Sequence, residues 1–588
     1  MKQSFNSLKL LCVLCVLCVG GFSLDRDAFT FVNYDLHPLV TPATHGFSVN
    51  GRITLRNDSA FPQKNISLQI SSTLDWKSIS VNGKQVVYIT QPYQSDIDHT
   101  GVVSEAVITV PAPIAPKQTV EVEVSYSGEI PPDSTRLTRI GTPEQVALKN
   151  DWDQISPGFT AVRGVGYVCW YPVSMEPANL SEGNRYFDVL GDWKQRNAGA
   201  TMKLSLEVVG TGNSVGNGEL TGTRAHSALS PDQPSTRENT FSFEPIGFYP
   251  PTFAVSDFTT LERPSIAISY IPGHRAAAEE FSLAAEKIEP VVTGWFGPER
   301  QKVRVIELAD SNAMPFDSGS MVFTPLRTSD IKRVQVEVAH QLAHSCLPSG
   351  ISRLWISEGL AQFAQALVRE NQDGRKGALA WMNAFIPALV SAEEQSHPPQ
   401  QNASAQASET PAGQSLVNAT DPAYYSIKAM FVWWMLRDMV GDDALQRAVN
   451  AYYTTSDNQA AVMQRLVEAQ SKKDLEWFFD DWVYRDRGLP DFKIDTAFAR
   501  PLLSTSTKAP SVSVTVTVAN LGNAGAEVPV IVHTDSGEMS DRVMVKAKSS
   551  AVVRIQVPSQ PTSVTVNDGS VPEEVITNNT YKFTAAQK

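Results

Sequence analysis

The sequence predicts a multidomain α+β protein: a β-rich first part, a helical middle and a C-terminal β-sandwich. Three observations carry this. Apolar residues alternate with polar ones through much of 24–270 and again in 512–588. Helical spacing takes over between 271 and 500. A chain of 588 residues is also too long for one core.

Residues 1–23 have the pattern of an export signal. Lys2 and Lys9 give a positive start, Leu10 to Val19 is apolar, and Gly21 and Ser23 are small residues suited to cleavage after Ser23. The run is too short for a membrane span, and no other apolar run reaches the required length. Leu17 is too large for the small residue that a lipidation site places before a cysteine such as Cys18. The expected location is therefore across the inner membrane, periplasmic or extracellular. Three of the five cysteines fall in this segment, leaving Cys169 and Cys346. One bridge or two buried thiols can result, but no disulfide framework.

In the first domain, Val120, Val122, Val124 and Tyr126 alternate, as do Met202, Leu204, Leu206 and Val208. Asn82-Gly83 and the prolines of 111–116 mark turns. In the second, Phe281, Ile288, Val292 and Trp295 define a helix ending at Gly297, followed by strands near 303–306 and 321–324. Residues 393–419 are poor in apolar side chains and predict a mobile surface loop, with His397 exposed. The apolar run 424–441 predicts a helix stopped by Gly441. A linker is expected over 501–511, followed by a sandwich of immunoglobulin size in which Val512, Val514, Val516 and Val518 alternate. A net charge of −13, without a basic run, argues against nucleic acid or an anionic membrane as partner.

The chemistry concentrates between Val334 and Ala366. His340 and His344 are four apart in a helical run, so both imidazoles leave one helix face. Glu358 follows on the next helix. Two histidines and a carboxylate form a ligand set for Zn2+ that leaves one coordination position open. Cys346 lies about 200° around the helix from His344, which disfavours it as a ligand. A structural role for both histidines is the alternative.

His340-Gln-Leu-Ala-His344 and Trp355-Ile-Ser-Glu-Gly-Leu-Ala361 resemble the signature of the zinc aminopeptidases of the gluzincin clan, the alanyl aminopeptidase and leukotriene A4 hydrolase type. Tyr425-Ser-Ile-Lys-Ala429, the run 474–483 and Gly488-Leu-Pro-Asp-Phe492 are similar to its later landmarks. The resemblance implies a β saddle (24–270), a thermolysin-like metallopeptidase domain (271–500) and a sandwich (512–588). It also implies Zn2+ on His340, His344 and Glu358, and peptides or proteins as partners.

The sequence departs from the family at four places. Gln341 stands where the family has its general-base glutamate. The family's Gly-Ala-Met-Glu-Asn loop, which holds the substrate amine, corresponds to Asn312-Ala-Met-Pro-Phe316, leaving Ala313 and Met314 as substrate-binding candidates and Pro315 without charge. Only 13 residues separate His344 from Glu358, fewer than the family's usual gap. Tyr425, the candidate for oxyanion stabilisation, is three residues before Lys428 rather than two, and Tyr424 competes with it. Glu337, one turn before Gln341, is a candidate substitute base; the alternative is that it supports a ligand histidine or faces solvent. The expected protein is a secreted metallopeptidase homologue with weak or lost hydrolysis, or a zinc-binding pseudopeptidase acting as a peptide- or protein-binding scaffold.

Overall fold

The computed structural model describes residues 24–226, 235–326, 330–348, 351, 353–396, 414–457, 459–502 and 511–583. The export-signal segment 1–23, His397 and residues 503–510 of the expected linker lie outside them. The chain divides into two compact units. One runs to Asn179 and includes Trp193–Phe253; the other comprises Leu180–Asp192 and everything from Ala254.

The first unit is built on an eight-stranded sheet in whose centre Gly46–Asn57 pairs with Phe29–Thr41 on one side and with Thr119–Glu129 on the other. Val120, Val122, Val124 and Tyr126 are all buried, so the alternation read in the sequence marks a real inner face. In a separate sheet Val102–Ile114 is the central strand, paired with Gln63–Ser71 on one side and Tyr88–Gln94 on the other.

The second unit begins with a five-stranded sheet that already includes Thr259–Glu262 and Ile266–Tyr270. Those strands, assigned by the sequence to the first domain, pair instead toward Val303–Glu307, which continues in parallel to Met321–Thr324. The short strand Phe316–Ser318 closes the edge in antiparallel fashion, with Asp317 opposite Val322. Three helices pack beside this sheet in one continuous apolar core: Arg275–Phe296, Ile331–Cys346 and Leu354–Asn383. The last is two segments joined at Gly374, whose φ of 71° breaks the helix.

Two expectations change in the later part. Residues 393–396 are not loop: they finish the helix Ile386–Ser396, and Glu393 is buried there. Its carboxylate meets Lys428 Nζ at 2.7 Å, and Asp486 meets the same ammonium at 2.9 Å. Low apolar content was a poor guide because a buried ion cluster, not an apolar face, anchors this stretch. The sandwich also starts earlier. Phe492–Leu502 pairs along its length with Ser511–Asn520, so residues 501 and 502 are strand rather than linker. One sheet is completed by Ser549–Val557, and the other contains Gly537–Val545, Ala526–Thr534, Pro561–Val566 and Thr580–Lys582.

The sandwich is tied to the helices. Arg375 binds Asp438 at 2.6 Å and Asp568 at 3.2 Å, Arg542 also reaches Asp438, and Trp482 Nε1 donates to the Gly525 carbonyl at 2.7 Å. Cys169 and Cys346 are both buried free thiols. Among the described residues no helix is long and apolar enough to cross a membrane.

Candidate metal centre

The helix Ile331–Cys346 is started by Asp330, whose side chain accepts from the Arg333 N–H. Its inner face buries His340 and His344, with ring centroids 4.9 Å apart. The opposing helix Leu354–Asn383 delivers Glu358. That approach depends on Gly359: a Cβ there would lie 2.7 Å from Ala429 Cβ and 2.9 Å from Trp433 Nε1. Close packing also sets the helix rotation, since Trp433 stacks on Trp355 and donates to its carbonyl at 3.1 Å.

The result is convergence of three side chains. Nε2 of His340 is 3.3 Å from one Glu358 oxygen, and Nε2 of His344 is 3.2 Å from the other. Among the described residues this is the one group of three or more His, Cys, Asp or Glu side chains able to hold a metal ion, with donor atoms within 4.8 Å of one another. The spacing fits the ion. Zinc bonds of about 2.0–2.1 Å at tetrahedral angles hold neighbouring donors ~3.3 Å apart, whereas a direct charged hydrogen bond settles at about 2.7–2.9 Å. Burial alone would depress the His340 imidazolium, but the Glu358 and Asp317 carboxylates outweigh it and raise its pKa. Glu358 is held well below the usual carboxylate range: burial opposes ionisation, and the two histidines overcome it.

Gln341 is buried beside this centre, and its Nε2 donates to Asp317 Oδ1. Asp317 went unnoticed in the sequence. It is 24 residues from Gln341, on a three-residue strand, and nothing in the spacing links the two. With Pro315, Val322, Thr324, Phe281, Glu337 and Gln365 they line a cavity of about 50 Å³, room for one or two water molecules. Asp317 keeps solvent access. The surrounding protein still raises its carboxyl, chiefly by desolvation; His340 opposes the rise and Glu358 adds to it.

The remaining candidates fall as follows. Glu337 is partly exposed at the same cavity, and its carboxylate is engaged by Arg333 at 2.7 Å. Ala313 is buried and Met314 exposed. Tyr424 is buried, and its hydroxyl donates to Ser396 Oγ at 2.9 Å. Tyr425 is half-buried against the core. Both tyrosines lie in a π-helical turn, Ala423–Lys428. Such a turn accommodates one extra residue without disturbing the helix after it, which accounts for the one-residue slip of Tyr425 relative to Lys428.

Residues 313–482 match the peptidase family M1 domain. No curated protein matches the chain in sequence. Among solved structures it is similar to an M1 zinc metallopeptidase from Deinococcus radiodurans, at 18% identity over 80% of this chain and 97% of that one, with a TM-score of 0.48. A variant of that enzyme bound to a Tyr-Ser-Ala substrate gives 18% identity, the same coverage and a TM-score of 0.46. The matched segment contains both helices of the centre, with His340, His344 and Glu358, so the residues that converge here lie within the part of the chain that is similar to the peptidase family M1 domain.

Proposed function

We propose that the protein is an exported zinc metallopeptidase homologue that binds peptides at the His340–His344–Glu358 centre, with no proton transfer at position 341. The observation that carries this reading is the 3.2 and 3.3 Å spacing of the two imidazole nitrogens from the Glu358 oxygens, which suits a tetrahedral cation better than a direct ion pair. Zinc held there would polarise a peptide carbonyl and activate water. The chain's own residues set the limit. An amide at 341 accepts no proton at neutral pH, and the Gln341 N–H is already committed to Asp317. Losing one acid–base group costs about 10²–10⁴-fold, so hydrolysis is weak or lost unless another group takes the proton. Tyr425 is the candidate for oxyanion stabilisation. The Lys2, Lys9 and Leu10–Val19 pattern supports export to the periplasm or beyond.

A pseudopeptidase that holds peptides or proteins without cleaving them is the second reading. The bonded Gln341 and the uncharged Pro315 favour it. Zinc content of protein purified without added metal, with calorimetric binding of a peptide panel, tests the shared core of both readings. One zinc per chain and peptide binding that chelation abolishes are expected. A metal-free protein that binds no peptide refutes both.

A further inference from the structure

Two carboxylates expected of this cleft, at 315 and 341, are replaced by Pro315 and Gln341. A third carboxylate stands between those positions. Asp317 follows Pro315 by two residues across the strand Phe316–Ser318, and residues i and i+2 leave the same face of a strand. Both line the cavity that Gln341 closes from the helix side. Phe316 and Ser318 are buried on the other face, so the local alternation commits Asp317 to the cavity.

We propose that Asp317 is the proton-accepting carboxylate of this cleft and that Gln341 is its positioning residue. The acid–base group has moved from the helix to the edge strand, and a carboxamide has filled its former place. The inference rests on the zinc-peptidase reading above.

The pair is chemically complementary. A carboxamide donates where a carboxylate accepts. A glutamate at 341 would set two anions against each other, each raising the other's pKa. Gln341 is therefore the donor that Asp317 requires. Asp317 also keeps solvent access, which exchange of a proton with water requires. In peptide hydrolysis the water oxygen bonds to the scissile carbonyl carbon and its proton passes to Asp317. The C–N bond then breaks, Asp317 returns that proton to the leaving amine, and the remaining hydroxyl completes the new carboxylic acid. One water is consumed and Asp317 ends ionised.

Four proteins test this: the parent, Asp317→Asn, Gln341→Glu, and the exchange of both together. Each is measured for zinc content, for melting temperature with and without zinc, for calorimetric binding of a peptide with a reduced scissile bond, and for cleavage of a fluorogenic peptide panel. Zinc stoichiometry and peptide affinity are expected to stay within about threefold throughout. Asp317→Asn should lower kcat about 10²–10⁴-fold and erase the acidic limb of the pH profile. Gln341→Glu alone should melt lower in the metal-free state and gain no kcat, and the exchange should restore the melting temperature. The proposal is overturned if Gln341→Glu alone raises kcat tenfold or more, or if Asp317→Asn leaves it within twofold. Equal melting temperatures for the parent and Gln341→Glu would also overturn it, as would a parent that holds zinc and the peptide yet cleaves nothing. A parent without zinc instead refutes the reading beneath it.

Discussion

The Gln341 side-chain amide donates to the Asp317 carboxylate, joining the helix that carries both histidines to the edge strand of the sheet. This bond predicts the cost of restoring a glutamate. In metal-free protein, Gln341→Glu should destabilise by about 1–3 kcal/mol at pH 7, because a donor is lost and a like charge gained. Asp317 is already raised by its surroundings, and a second carboxylate would raise it further. A carboxyl raised in the folded state makes stability fall as pH climbs from its unfolded value to its folded one. The deficit of the variant should therefore be small near pH 4 and full at pH 7, as read by urea denaturation at several pH values.

The parts of the site that were legible in the sequence are those set by helix periodicity. A spacing of four from His340 to His344, and one glutamate on the next helix, suffice to place three side chains together. Asp317 was illegible because its meaning comes from a tertiary contact across 24 residues. The start of the sandwich was hidden by a bulge: the register shifts between Ile494 and Thr496, so the buried set Phe492, Ile494, Ala497 breaks period two in mid-strand. The buried Glu393 was hidden by composition, since a polar run looks the same whether solvent or Lys428 satisfies it.

Removing one ligand should empty the metal centre. Glu358→Gln keeps the shape but removes the anion between the histidines, and His344→Ala removes a donor outright. Each variant is expected to hold less than about a tenth of the parent's zinc by elemental analysis after dialysis, since two neutral imidazoles or one imidazole and a carboxylate form an incomplete set. Zinc at 100 times its Kd should stabilise the parent by about 2.7 kcal/mol and these variants by much less.

Gly359→Ala tests the packing that brings Glu358 to the histidines. The new methyl has no room against Ala429 and Trp433. Overpacking of this kind costs about 1–3 kcal/mol, and relief requires the helix to move outward with Glu358 on it. Stability and zinc affinity should therefore fall together. A variant that is destabilised but binds zinc with unchanged affinity would separate the two helices' packing from the geometry of the site.

Lys428 is fully buried between Glu393 and Asp486. Burial alone would lower its pKa, but the two carboxylates raise it, so it stays charged in the core. Lys428→Met leaves two buried carboxylates facing each other without a cation. The expected loss is about 3–5 kcal/mol by chemical denaturation. The helix Ile386–Ser396, which this cluster anchors, should be the first to gain hydrogen exchange.

Glu573 offers a pH test in the sandwich, away from the metal centre. It is buried, accepts from Asn567 and the Phe492 N–H, and is pushed up to about 7 chiefly by desolvation. Its unfolded value is near 4.5, so the folded state holds the proton more tightly. Stability is then full below about pH 4.5 and declines as pH rises to about 7, by about 3 kcal/mol at most. Glu573→Gln removes this titration but turns an N–H donor toward the Phe492 N–H, costing about 1 kcal/mol at every pH. The two effects separate cleanly in a pH series. The parent should lose stability across pH 4.5–7, and the variant should start lower, stay flat over that interval and match or exceed the parent above it. A variant that keeps the parent's slope would show that the titration lies elsewhere in the chain.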